Sequence, residues 1–197
     1  MRTLPAGARR LAAATAAVAT LVLASCATQP AVAPQQGFDA ALVEAPFTAG
    51  GRLSARHGAD AVAVQFRWRH APPRDELVVM SPLGQTLAEL TGDASAQRVE
   101  VRTSDGRQDS AADWTTLTAR VLGFPLPVAG LAAWLRAMPR PGAPYTIEPD
   151  RDGRAGVLRQ DGWEIVYDYP DAAALRPSRL RVSYPEFEIR IVVDTWQ

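Results

Sequence analysis

Side chains that could carry catalysis or bind a metal are few in this 197-residue chain. His57 and His70 have neither the spacing of metal ligands nor a nucleophile motif nearby, so surface positions at strand ends are expected for both. Asp105, Asp109 and Asp113 lie close together but lack the Gly and the terminal Glu of a calcium loop, which favours turn and capping roles. The sequence also lacks Gly-x-Ser-x-Gly, a phosphate-binding Gly loop and HExxH. We therefore expect no enzyme, no cofactor and no metal site.

The single cysteine, Cys26, is the residue with the clearest chemistry. It follows three arginines and the small, uncharged, apolar run Leu11 to Ala24. An ordinary cleavage site or a transmembrane helix would be alternatives, but the run is short and Ala-rich for a membrane span. Leu23-Ala24-Ser25-Cys26 resembles the lipobox of bacterial lipoproteins, which implies cleavage before Cys26 and acyl chains on that residue. A lone cysteine also has no partner for an internal disulfide or a metal site.

The chain is predicted to have three parts. Residues 1–25 are a cleaved signal peptide, residues 26–37 form an uncharged flexible tether rich in Pro, Ala and Gln, and residues 38–197 form one domain. The 21 basic residues are all Arg and equal the 21 acidic ones, so bulk charge gives no reason to expect nucleic-acid binding. Ala27, rather than Asp, follows Cys26, and by resemblance to enterobacterial lipoproteins this favours the outer membrane. Two or more acyl chains would anchor the protein stably.

Alternating apolar and polar residues predict about eleven strands, interrupted once by a pair of helices. The clearest strand is Asp60 to Arg69. Ser110 with Asp113 resembles a capping box at the start of the first helix, and the second helix is expected from Val128 to Met138, before Pro139. The remaining strands are expected at 49–56, 76–80, 85–91, 97–103, 145–148 and 157–160, with brief pairing at 107–109 and three final strands that begin near 163, 180 and 187.

Many antiparallel strands with one apolar face each predict a curved sheet or a barrel, and two amphipathic helices could cap its apolar hollow. Large side chains on the apolar phases could fill a solid core or wall a cavity for acyl chains, and the pattern alone leaves both open. The candidate lining residues are Val62, Val64, Phe66, Trp68, Leu117, Val121, Leu131, Trp134, Leu135, Met138, Trp163, Ile165, Tyr167, Phe187 and Ile189.

A turn between two of the strands carries an apolar residue near its tip. Ser81, Pro82 and Gly84 suit the first, second and fourth positions of a type I turn, which places Leu83 third. Leu83 could fold back onto its own sheet, or it could be meant for something apolar outside the protein. The turn alone does not decide between these two interpretations.

The residues together resemble the LolB family, outer-membrane lipoprotein receptors of Gram-negative bacteria. No single motif is specific, but their order and spacing span the mature chain. Beside the lipobox at Cys26, they are Gly51-Arg52-Leu53-Ser54, Val64-Gln65-Phe66-Arg67-Trp68, Ser81-Pro82-Leu83-Gly84, Leu122-Gly123-Phe124-Pro125-Leu126-Pro127, Trp134-Leu135, Gly162-Trp163-Glu164-Ile165-Val166-Tyr167 and Asp194-Thr195-Trp196.

The resemblance implies an incomplete, half-open antiparallel β-barrel with helices that cover an apolar cavity. It implies a receptor that takes lipoproteins from the periplasmic carrier LolA, holds their acyl chains and inserts them into the inner leaflet of the outer membrane. Pro82, Leu83 and Gly84 match the hairpin whose Leu is needed for membrane insertion in the family. The expected partners are loaded LolA, lipoprotein acyl chains and outer-membrane phospholipid, and the chain is expected to be a monomer. A LolA-like soluble carrier and a structural or lipid-binding lipoprotein without transfer activity are the alternatives.

Overall fold

The computed structural model describes residues 40–122 and 126–197. The predicted signal peptide, the tether and Cys26 lie outside the described residues. So does part of the 122–127 motif. No helix among the described residues is both long enough and apolar enough to cross a bilayer.

The described residues form one eleven-stranded sheet in which all neighbouring strands are antiparallel. The order is β6-β5-β4-β3-β2-β1-β11-β10-β9-β8-β7, so the first and last strands of the chain pair in the middle of the sheet. Strands β6 and β7 are the two edges, and the sheet is not closed into a barrel. The predicted half-open antiparallel architecture and the strand number are confirmed. The strands are β1 (Phe47–His57), β2 (Asp60–Ala71), β3 (Arg74–Met80), β4 (Thr86–Asp93), β5 (Arg98–Thr103), β6 (Gln108–Ala111), β7 (Tyr145–Pro149), β8 (Ala155–Gln160), β9 (Trp163–Asp168), β10 (Arg179–Tyr184) and β11 (Phe187–Trp196).

The central pairing of β1 with β11 explains the Gly-Arg pair in β1. The register shifts between Gly50 and Gly51, as in a β-bulge. A Cβ atom on Gly51 would lie 2.0 Å from the carbonyl oxygen of Val192, so only glycine fits there without a backbone shift. Beside it, Arg52 makes a two-pronged ion pair with Asp194 at 2.9 and 3.1 Å, which joins the first strand to the last.

Among the described residues, three short helices accompany the sheet: α1 (Ala40–Val43), α2 (Trp114–Leu122) and α3 (Val128–Trp134). Asp113 caps α2, because its carboxylate accepts hydrogen bonds from the backbone N–H and the hydroxyl of Thr116 at 2.7 and 3.0 Å. The prediction that Ser110 begins this helix is wrong, since Ser110 belongs to β6.

Helix α3, the second of the two helices predicted for the middle of the chain, is shorter than predicted. It ends at Trp134 instead of Met138, because Ala137 adopts a left-handed conformation with φ of 59°. The N–H of Met138 then reaches back to the carbonyl of Ala133 at 3.2 Å, and the N–H of Ala137 to that of Trp134 at 2.9 Å. This is the Schellman pattern of helix termination, with Ala in the position where Gly is usual.

In the part of the chain that the structure describes, two hydrophobic clusters lie on one face of the sheet, which we call the helix face. The larger cluster joins α3 to β1, β8, β9, β10 and β11 and to the aromatic half of β2. The smaller one joins Leu117 of α2 to Val99 and Val101 of β5. Trp114 packs against both clusters. Helices α2 and α3 therefore cover different parts of the same face. The strands between these two parts have less contact with a helix.

Five of the hairpin turns meet at one end of the sheet, which we call the hairpin end. Because neighbouring strands are antiparallel, the β1–β2, β3–β4, β5–β6, β8–β9 and β10–β11 turns all fall there. Four of the seven exposed large hydrophobic side chains of the described residues lie on strands or turns near this end: Val62, Leu83, Leu87 and Tyr184.

Candidate functional site

The β3–β4 turn projects Leu83 into solvent. The N–H of Gly84 donates to the carbonyl of Ser81 at 2.9 Å, as the predicted β-turn requires, and Gly84 has φ of 83°. The Leu83 side chain is 90% exposed. The interpretation in which Leu83 folds back onto its own sheet is therefore wrong, while its predicted contact with a membrane stays a prediction.

Further hydrogen bonds hold this turn in place. The N–H of Ser81 donates to the carbonyl of Gln85 at 2.8 Å, and the N–H of Gln85 donates to the hydroxyl of Ser81 at 3.2 Å. From the neighbouring strand β2, the side-chain amide of Gln65 donates to the carbonyl of Pro82 at 2.8 Å. The exposed Leu83 thus sits on a braced turn.

An apolar strip on the helix face is left partly open between the two clusters. Val62, Val64 and Val79 lie on β2 and β3, and none of them belongs to either cluster. Val62 is 50% exposed and the other two are partly exposed. We call these three residues the valine strip. Partly exposed valines on an otherwise buried face are what the wall of an open apolar site would present.

The fifteen predicted lining residues divide into two groups by burial. Five of them are partly or fully exposed, namely Val62, Val64, Val121 of helix α2, Met138 and Phe187. The other ten are buried against neighbouring side chains, and whether acyl chains reach them stays a prediction. These ten are Phe66, Trp68, Leu117, Leu131, Trp134, Leu135, Trp163, Ile165, Tyr167 and Ile189.

Trp134 is tied to the sheet by a buried polar contact. Its Nε1–H donates to the side-chain oxygen of Gln160 at 2.9 Å, and that oxygen also accepts from the N–H of Arg140 at 2.8 Å. The amide nitrogen of Gln160 donates back to the carbonyl of Arg140 at 2.8 Å. The buried amide fixes α3 and the chain after it onto the end of β8, a role that the apolar stripe did not reveal.

Tyr167 carries a buried hydroxyl without a hydrogen-bond partner among the described residues. Burial raises the pKa of Tyr167 well above its ordinary value, so the group stays protonated and uncharged. The ring lies on the helix face with Ile165, in the larger cluster. An unsatisfied buried hydroxyl costs stability in the present conformation.

The expectation that His70 lies on the surface is wrong. Its Nδ1 lies 2.8 Å from a carboxylate oxygen of Asp75, which also accepts from Nε1–H of Trp68 at 2.7 Å. The His70 ring packs against Phe47 with centroids 5.0 Å apart. Asp75 faces His70 directly in the β2–β3 register, so the pair joins those two strands. The other histidine, His57, stacks on Phe187 at 4.6 Å.

Asp105 and Asp113 have the expected turn and cap roles, whereas the same expectation for Asp109 is wrong, because Asp109 lies in strand β6. The Thr103 hydroxyl bond and the neighbouring Arg107 lower the pKa of Asp105 to about 2. The hydrogen bonds from Thr116 lower the pKa of Asp113. Asp109 pairs with Arg120 at 2.8 Å. Among residues 40–122 and 126–197, no three His, Cys, Asp or Glu side chains come close enough to hold a metal ion.

Arg136 is a buried cation that the sequence patterns did not single out. Its guanidinium donates to the carbonyls of Leu42 and Ala45 at 2.9 and 2.8 Å and also to that of Val43. Burial is the main cause that lowers the pKa of Arg136, with repulsion from Arg176 adding to it. The side chain therefore binds the carboxyl end of α1, where a helix carries partial negative charge.

Comparison with known proteins identifies the class to which this fold and apolar face belong. The family model described as outer membrane lipoprotein LolB matches residues 45–196. The chain therefore belongs to the LolB family of outer-membrane lipoproteins, as its sequence motifs predicted.

Several similar proteins carry the name outer-membrane lipoprotein LolB. The protein from Azoarcus sp. is 39% identical over 192 residues, which cover 96% of this chain and 97% of that protein. The protein from Chromobacterium violaceum is 35% identical over 178 residues, covering 90% and 94% respectively. The protein from Thiobacillus denitrificans is 39% identical over 175 residues, covering 89% and 91%. Among solved structures, a LolA superfamily protein from Nitrosomonas europaea matches with 7% identity and a TM-score of 0.47, over 78% of this chain and 86% of that one.

Proposed function

We propose that this chain is a lipoprotein receptor anchored through Cys26 to the periplasmic face of the outer membrane. It accepts lipoproteins from the carrier LolA, holds their acyl chains on the helix face and inserts them into the inner leaflet of that membrane. The chain acts as a monomer in this role. Membership of the LolB family supports the proposal, and the anchor and the transfer are the parts to be tested.

The observation that carries the proposal is the valine strip. A folded domain normally buries a valine side chain that faces its core, and burial of each methylene group is worth about 0.8 kcal/mol. Val62, Val64 and Val79 keep part of their apolar surface exposed to water, although Phe66 and Trp68 on the same face are buried. An acyl chain laid along the strip would cover that surface. Because several chains contribute many methylene groups, their burial outweighs every other contact in the transfer.

The second supporting observation is the braced turn with Leu83. A leucine that enters a bilayer gains only about 1.5–3 kcal/mol, which is too little to anchor the protein. It is sufficient to favour orientations in which the hairpin end faces the membrane. On this proposal, Cys26 keeps the protein at the membrane and Leu83 orients the place where acyl chains leave.

The test is transfer of a lipoprotein from loaded LolA into phospholipid vesicles that carry the mature chain. Leu83→Glu should leave the fold and the uptake of cargo from LolA intact and should block release into the vesicle, because a carboxylate at the tip would have to enter the bilayer. Leu175→Glu is the matched control. Leu175 is also an exposed leucine, 92% accessible, but it lies in the connection from β9 to β10, at the opposite end of the sheet. Transfer at the wild-type rate by Leu83→Glu would contradict the role of the turn.

A second candidate is a structural or lipid-binding lipoprotein that transfers nothing. It is favoured by one observation, namely that ten of the fifteen predicted lining residues are buried in protein contacts. Binding of a fluorescent fatty-acid probe tests the structural form of this candidate, because a solid core would not bind the probe. A chain that binds the probe but moves no lipoprotein from LolA would support the second candidate.

A further inference from the structure

Strand β2 is longer than the strand beside it, and this leaves part of its edge without a neighbour. β3 pairs with β2 only from Gln65 to Ala71, where Gln65 faces Met80. Residues 60–64 continue toward the hairpin end and pair on their other side with β1. Within the described residues, no backbone hydrogen bond joins residues 60–64 to the β3–β4 turn. We call residues 60–64 the free edge.

The pairing pattern shows which backbone groups the free edge presents. The two-residue turn at Gly58 and Ala59 closes the pair His57 and Asp60, and such a closing pair exchanges both of its hydrogen bonds. Along β2, successive residues point their backbone N–H and C=O groups alternately toward β1 and away from it. Counted from Asp60, the groups of Ala61 and Ala63 point away from β1, toward the side on which β3 does not extend this far. Both alanines are exposed. Four backbone groups in a row are therefore open to a further strand.

The free edge lacks the features that usually protect such edges. Natural sheets block exposed edges with lysine, proline, bulges or a covering element. Here the sequence is Asp-Ala-Val-Ala-Val, with one charge at the tip and no side chain larger than valine. The segment is about 16 Å long at about 3.3 Å per residue, which accommodates an extended peptide of five residues.

We propose that the free edge binds the extended peptide that follows the acylated cysteine of a lipoprotein, by adding it to the sheet as a strand. This inference rests on the proposed function and names a second part of the same site. Val62 and Val64 of the free edge also belong to the valine strip, so acyl chains on the strip and a peptide on the edge would lie about one strand spacing apart, about 4.8 Å. In a lipoprotein, the acyl chains and the peptide are attached to the same cysteine, so they also lie next to each other.

The chemistry of the edge fits this occupant. Strand addition uses main-chain hydrogen bonds, which any sequence except proline at the bonded positions can supply. The small, uncharged side chains of Ala61 and Ala63 impose no further selection. A receptor that accepts many different lipoproteins needs such sequence-independent binding.

The test uses the mature lipidated chain in detergent and three kinds of competitor for a fluorescent fatty-acid probe. The first is a synthetic lipopeptide with an acylated cysteine and six further residues of alanine and serine. The second is the same lipopeptide N-methylated at alternate amides, made in two versions that carry the methyl groups on odd or on even residues. The third is a diacylglycerol with the same acyl chains and no peptide.

A strand on the edge turns every second amide toward the protein, so only one of the two methylated versions should bind more weakly, by roughly tenfold. Equal binding of the unmethylated lipopeptide and both methylated versions to the wild-type chain would overturn the inference. So would equal weakening by both methylated versions, because that result indicates a general loss of solubility or fit. If diacylglycerol displaces the probe and methylation has no effect, only the edge inference fails. If neither diacylglycerol nor lipopeptide displaces the probe, the proposed acyl site fails and the inference with it.

Variants of the edge give an independent measurement. Ala61→Pro and Ala63→Pro remove N–H groups that point away from β1, so the β1–β2 hairpin should keep its fold. Both should abolish the difference between the methylated versions and leave diacylglycerol binding unchanged. The matched control is Gln108→Pro on the edge strand β6, distant from the valine strip, which should behave as wild type. If the wild-type chain dimerises in sedimentation and Ala61→Pro does not, a second copy occupies the edge and the proposal is wrong.

Discussion

The contact between Arg136 and α1 leads to a quantitative prediction. Arg136 follows α3 in the chain, while the three carbonyls that it binds belong to Leu42, Val43 and Ala45, more than 90 residues earlier. Arg136→Met would keep the methylene part of the side chain, but it would remove every donor, including the Nε–H that donates to the carbonyl of Ala132 at 3.2 Å. It would also remove the guanidinium that lies 4.9 Å from the centre of the Phe47 ring. The four-residue helix α1 would then keep Val43 in the core as its main attachment.

The expected cost follows from the individual terms. Hydrogen bonds to a charged group are worth about 1.5–3 kcal/mol each, so the three bonds to Leu42, Val43 and Ala45 set an upper limit of about 5–9 kcal/mol on the loss at α1. Two effects reduce it. Burial lowers the pKa of Arg136, which indicates that desolvation of its charge opposes folding. The methionine variant has no charge to desolvate. The freed carbonyls lie at the end of a surface helix, where water can hydrate them. We expect a net loss of about 2 kcal/mol in the free energy of unfolding.

Urea unfolding and hydrogen exchange would measure this loss separately. Exchange of the amides around α1 should accelerate about 30-fold, the factor that corresponds to about 2 kcal/mol. Amides in β8 and β9 should change only as far as global unfolding requires. The control is Arg179→Met, an exposed arginine whose nearest carboxylate is 4.0 Å away, for which less than about 0.5 kcal/mol is expected. A change below about 0.5 kcal/mol for Arg136→Met, with α1 protection intact, would refute the role of Arg136.

Two other positions give sharp expectations for stability. Tyr167→Phe removes the unsatisfied hydroxyl and should leave the unfolding free energy unchanged or raise it by up to about 1–2 kcal/mol, whereas a loss above about 1 kcal/mol would show that the hydroxyl has a partner. Gly51→Ala places a methyl group 2.0 Å from the Val192 oxygen and should cost about 3 kcal/mol in a urea titration, while Ser54→Ala on the same strand should cost less than about 0.5 kcal/mol. A normal midpoint for Gly51→Ala would mean that β1 and β11 separate easily at the bulge.

The strands could be predicted from the sequence because each buries one face, so the period of two is visible locally. The β3–β4 turn could be predicted for the same reason, since Ser81, Pro82 and Gly84 determine their own conformation. The roles of Arg136 and Gln160 could not, because each depends on backbone atoms far away in sequence. His70 was misassigned because its partner Asp75 lies across a hairpin, where only the register brings the two together. The end of α3 was misplaced because Ala137 takes a conformation that its residue type does not favour.

The lengths of the strands bear on how a lipoprotein would leave this chain. Gln65 is the first residue of β2, in chain order, that pairs with β3, and its side-chain amide donates to the carbonyl of Pro82. The same residue therefore marks where the free edge ends and fixes the turn that carries Leu83. A peptide on the free edge would lie beside this turn, and acyl chains on the valine strip would lie one side-chain layer away. At the opposite end, α1 and Arg136 close over Phe47. A cargo held in this way would have its shortest path out at the hairpin end, where Leu83 is proposed to contact the bilayer, so transfer would require no movement of the sheet.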